Sequence, residues 1–118
     1  DLAKAKKEAE EAEKDREKAE KKREKAEEER EKAQKKLERE QEKIKDAQKD
    51  IEKYQDKKAG AEKDLVKMQA KLDKNIAKGK MSSIDIDKEK VKVTKQQIKI
   101  KELEEDIQKA QKKLNKLK

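Results

Sequence analysis

The sequence predicts an all-α protein, an elongated antiparallel coiled-coil helical hairpin with a long N-terminal helical overhang. Three observations lead there. Charged residues make up 58% of the 118-residue chain and hydrophobic ones only 29%, with no proline to interrupt a helix. Apolar residues recur with a 3/4 alternation over many heptads. The one stretch that breaks this alternation contains glycine and serine, residues suited to ending one helix and starting another.

The first element follows from the heptads. Position a is filled by Leu2, Ala9, Arg16, Arg23, Arg30, Leu37, Ile44, Ile51, Lys58, Leu65 and Leu72. Position d is filled by Ala5, Ala12, Ala19, Ala26, Ala33, Glu40, Ala47, Tyr54, Ala61, Met68 and Asn75. The phase runs through Gly60, which therefore reads as a weak point within a helix rather than a turn. A single helix from about Leu2 to about Lys78 would be roughly 115 Å long. It should end near Gly79, with Lys74 and Lys78 in the last turn, where the helix dipole favours cations.

The second element begins after a turn near residues 79–82. Ser82 or Ser83 is expected to cap it, with Asp85 and Asp87 in its first turn. Its a positions are Ile86, Val93, Ile100, Ile107 and Leu114, and its d positions are Glu89, Gln96, Leu103, Ala110 and Leu117. The pairs Ile84/Ile86, Val91/Val93 and Ile98/Ile100 also alternate with period two, a strand pattern. Helix is favoured because no tight-turn residue lies between Val93 and Ile98, and because Ile84, Val91 and Ile98 are themselves seven apart.

A short turn makes the two helices antiparallel neighbours. With Lys78 opposite Ser83, paired residue numbers sum to 161, and every a meets a d. Ala61 then faces Ile100, Ile51 faces Ala110, Ala47 faces Leu114 and Ile44 faces Leu117. Large against small recurs, which suits interdigitation. The pairing ends with Lys118 opposite Lys43. The chain therefore divides into a charged, Ala-heptad arm, residues 1–43, and a hairpin, residues 44–118.

Composition excludes most chemistry. The chain has no histidine and no cysteine, hence no usual general base, no usual zinc ligand and no disulfide. Its longest apolar runs are two residues, so nothing in it spans a membrane. A rod offers no convergent cleft, so no catalytic residue, metal site or cofactor is expected, and the chain reads as a non-enzyme. It begins at Asp1 without a methionine, as a processed protein or an excised fragment would.

Three features remain as candidates for function. The arm, with 15 cations and 15 acids over residues 1–40, reads as a stiff spacer or as a seam for self-association through its alanines. Glu10/Lys14, Glu17/Lys21, Glu28/Lys32 and Glu31/Lys35 are spaced for i,i+4 pairing. The hairpin tip holds ten lysines and four acids between Lys71 and Lys101. Among them Lys71, Lys74, Lys78, Lys80, Lys88, Lys90 and Lys92 form a candidate basic patch for nucleic acid or an anionic membrane surface. With no arginine or aromatic there, sequence-specific readout is not expected. Finally, Ile84, Val91 and Ile98 at f, with Val66 nearby, form a candidate docking stripe for a protein partner or a second copy in a homodimer. The polar seam residues Lys58, Asn75, Glu89 and Gln96 are expected to fix register and direction.

Overall fold

A computed structural model describes residues 1–118. The protein is an all-α helical hairpin built from α1 (Leu2–Ala77) and α2 (Ser83–Leu117), with no strand. The period-two stretch from Ile84 to Lys101 lies wholly within α2. Seam burial on a helix explains those residues without recourse to a sheet.

Two compact units divide the chain, Asp1–Gln41 and Glu42–Lys118. In the first, every side chain is exposed except that of Ala26, which is half-buried. Asp1 caps this end of α1: its carboxylate accepts from the Ala3 N–H at 3.2 Å and its carbonyl from the Ala5 N–H at 3.1 Å. The four spaced Glu/Lys pairs of the arm are not closed. All three salt bridges of the chain lie between residues 58 and 104. At fully solvated sites, hydration and side-chain entropy outweigh the small Coulomb gain of such a pair.

In the second unit burial follows the heptads. On α1 the residues that are not exposed are Ile44, Ala47, Ile51, Tyr54, Lys58, Ala61, Leu65, Met68, Leu72 and Asn75. Each is an a or d position. On α2 the same holds from Ile86 to Leu117, with Asp106 the one addition. The apolar contacts also match the antiparallel register. Ala47, Ile51 and Leu114 form one buried cluster with Ile44, Ala110 and Leu117 packed on it. Ala61, Ile100 and Leu103 form a second, flanked by Tyr54 and Leu65. The expected opposites Ile44/Leu117, Ala47/Leu114, Ile51/Ala110 and Ala61/Ile100 thus share clusters.

The turn works as its residues suggest. Gly79 adopts φ +64°, the left-handed region that a side chain resists, and its N–H donates to the Ile76 carbonyl at 3.0 Å. Ser82 is the N-cap of α2, its hydroxyl accepting from the Asp85 N–H at 3.1 Å. Two expected details are corrected. Lys78 lies past the end of α1, leaving Lys74 as the cation of its last turn, because the glycine cap closes the helix at Ala77. Asp87 lies beyond the first turn of α2, which begins at Ser83 and contains Asp85 alone as an acid.

The two glycines predict opposite responses. Gly60 is helical and exposed, and a Cβ there would meet nothing within 4 Å. Gly60→Ala should therefore stabilise the hairpin by about 0.5–1 kcal/mol, seen as a higher thermal midpoint. Gly79→Ala should destabilise it by about 1 kcal/mol, through the positive φ alone. Replacing both Leu103 and Ile107 with Asp should melt the hairpin, because two charges would enter the seam. Unchanged helicity and melting in that variant would remove the seam as the source of stability.

Candidate interaction surfaces

The polar seam residues divide into two kinds. Gln96, at d, donates from Nε2 to the Ala61 carbonyl across the hairpin at 2.9 Å. Ala61 is 4% exposed and lacks the bulk to hold the helices apart, so the amide reaches the backbone. Lys58, at a, sends Nζ to Glu104 of α2 at 3.5 Å and to Glu62 of its own helix at 3.6 Å. These two residues join the helices as expected. Glu89 instead pairs with Lys92 one turn along α2, Nζ–Oε1 3.2 Å, and Asn75 lines the cleft beside Met68 and Leu72 without a hydrogen bond across the seam. Both flank the turn, where Gly79 and the Ser82 cap already set the geometry.

The docking-stripe residues Ile84, Val91, Ile98 and Val66 are all at least half exposed. They do not line one groove. Val91 borders a cleft with Met81, Asp85 and Lys88, on the g side of α2. Ile98 borders another with Leu65, Thr94, Gln97 and Ile100, on the e side. Val66 lines a third, with Leu65, Gln69, Ala70 and Gln97. The second and third share Leu65 and Gln97, so Val66 of α1 and Ile98 of α2 stand on either side of one shallow furrow. Its charged lining residues are Lys101, Glu104 and Asp73; the rest are uncharged. Leu65 is expected from the sequence as a seam residue, whereas Gln69, Ala70, Thr94 and Gln97 carry no expectation there. Their signal was available as a local lapse of charge on the e flank of both helices.

The seven tip lysines are all exposed. Lys71 and Lys92 line a cleft with Leu72 and Met81, and Lys88, Lys92 and Lys95 line its neighbour. Lys90, at e, lies on the opposite flank of α2 by heptad position. Lys92 is engaged with Glu89, and Lys95 belongs with the group. Met81 is half-buried at the end of the seam and lines the same cleft as Met68 and Leu72. It supplies apolar cover where the d residue opposite Leu72 is Glu89.

No three carboxylates converge to hold a metal ion, and no helix is long and apolar enough to cross a membrane. No protein-family model matches the chain, and no curated protein or solved structure matches it either.

Gln96→Ala should cost about 1 kcal/mol, the net value of one part-buried hydrogen bond. Urea denaturation followed by circular dichroism measures this. An unchanged midpoint would show that the amide adds no stability through this bond.

Proposed function

We propose that the chain is a non-catalytic structural part: a rigid coiled-coil rod that spaces and presents its hairpin tip and associates with a protein partner or another copy of itself. The observation that carries this reading is α1 itself, 76 residues of helix without a proline, of which only the part from Ile44 onward has a buried seam. A helix that extends so far beyond its intramolecular partner is suited to set distance or to receive a second helix. The furrow between Val66 and Ile98 supports a docking role for the hairpin, since its lining carries only Lys101, Glu104 and Asp73 as charged residues in a chain dominated by charge.

The alternative is an accessory module whose lysine-rich tip engages phosphates of nucleic acid or an anionic membrane. It has weaker support, because Lys92 is already paired and Lys90 lies on the other flank. Salt separates the two, since lysine–phosphate contacts weaken steeply with ionic strength and an aliphatic contact does not.

Small-angle X-ray scattering of the dilute chain tests the rod. A straight α1 of 76 residues predicts a maximum dimension of about 115 Å for the monomer. A dimension near half that value would mean that α1 breaks or folds back, and would overturn the reading.

A further inference from the structure

Unit 2 shows how this chain holds a cation at a seam position. Lys58, at a, has Leu103 as its d opposite and pairs with the next residue, Glu104, at e of the antiparallel helix. The arm carries three cations at a, namely Arg16, Arg23 and Arg30, and three glutamates at e, namely Glu13, Glu20 and Glu27. None of these six residues makes a salt bridge within its own chain. The same helix that buries its a and d residues from Ile44 to Asn75 therefore continues, in phase, as a seam with arginines in place of aliphatic residues.

We infer that a second copy of the chain covers this seam, arm against arm and antiparallel, with paired residue numbers summing to 42. This deepens the rod reading and rests on it. In that register each a again meets a d. The spacing seen at Lys58 and Glu104 then sets Arg16 beside the partner's Glu27, Arg23 beside the partner's Glu20, and Arg30 beside the partner's Glu13. Two-fold symmetry repeats each pair. The neighbouring registers each lose one of the three pairs: a sum of 35 places Arg30 against the partner's Lys6, and a sum of 49 places Arg16 against the partner's Gln34. A parallel, in-register pair would bring Glu13 to the partner's Glu8 and Glu20 to the partner's Asp15, like charges at g and e, against opposite charges at Lys22 and the partner's Glu27.

Two further features agree with the register of 42. Leu37, an a residue that is 54% exposed, receives the partner's Ala5 as its d opposite. The alanines at d let two helices approach closely, while the arginine stems lie along the seam with their heads toward the flank. The pairing also occupies α1 only as far as Gln41, and α2 takes over from Ile44, opposite Leu117. The seam of α1 is thus shared between two helices without overlap.

The chain has no cysteine, so a single introduced one carries a spin label without background. Lys7→Cys, Lys21→Cys and Lys35→Cys place labels at outward f positions. In the dimer at low salt, labels at 21 should lie within about 25 Å of each other, roughly two helix diameters. Labels at 7, and separately at 35, should be offset by about 42 Å along the axis, the rise over 28 residues, and so lie roughly 50 Å apart. Three short distances would mean a parallel dimer and overturn the inference.

Charge exchange tests the pairs themselves. A triple Glu13→Lys, Glu20→Lys, Glu27→Lys variant should lose the dimer, and so should a triple Arg16→Glu, Arg23→Glu, Arg30→Glu variant. Mixing the two restores every opposite-charge pair, so a heterodimer should form with a maximum dimension of about 170 Å, against about 115 Å for the monomer. Failure of the mixture to associate while both variants stay helical would overturn the inference. Val91→Lys with Ile98→Lys should leave the dimer intact, and its loss would move the interface to the hairpin. A wild-type monomer of about 115 Å at every concentration would overturn the pairing and leave the rod standing, whereas a shorter monomer would overturn the rod itself.

Discussion

Everything ordered about the hairpin depends on one row of contacts between two helices. With so little apolar material in the chain, the buried residues cannot form a core with depth. Each layer of the seam is one residue from α1 against one from α2, such as Ala47 with Leu114 or Ala61 with Ile100. Apolar burial contributes roughly 25 cal/mol per Å², so each layer adds little and length must supply the total. That is why the second unit is a long pair of helices rather than a bundle.

A seam of this kind is translationally repetitive, and slipping by a heptad would leave most apolar contacts intact. The structure resists slippage with a few specific features. Gly79 and the Ser82 cap set the length of the turn. Gln96 bonds the Ala61 carbonyl, and Lys58 reaches Glu104. Exposed ion pairs are worth less than about 1 kcal/mol, so the second contact selects an alignment more than it stabilises the fold. Met81 closes the open end of the seam beside Leu72, where Glu89 cannot.

The arm obeys the same heptad with different chemistry. Alanine supplies helix propensity and little buried area, and arginine at a keeps an unpaired seam soluble. An arm built this way carries an ordered pattern of charges along its seam in place of apolar area. Electrostatic pairing of that sort confers alignment and selectivity ahead of affinity.

The amino-acid sequence by itself determined both helices, the glycine-ended turn and the pairing of Ile44–Asn75 with Ile86–Leu117. These follow from periodicity and capping, which act over at most a few residues and are written directly in residue order. The tertiary structure alone decided which polar residues bond across the seam. Gln96 and Lys58 do so, while Glu89 turns back to Lys92 and the arm's Glu/Lys pairs stay open. It also decided that Val91 and Ile98, equivalent in the heptad, border different clefts, and that Val66 joins Ile98 across the furrow floored by Leu65. The reason is physical. A heptad letter gives a residue's direction from the helix axis, but the choice among polar partners turns on differences of about 1 kcal/mol between solvation and contact, which only the neighbouring helix sets.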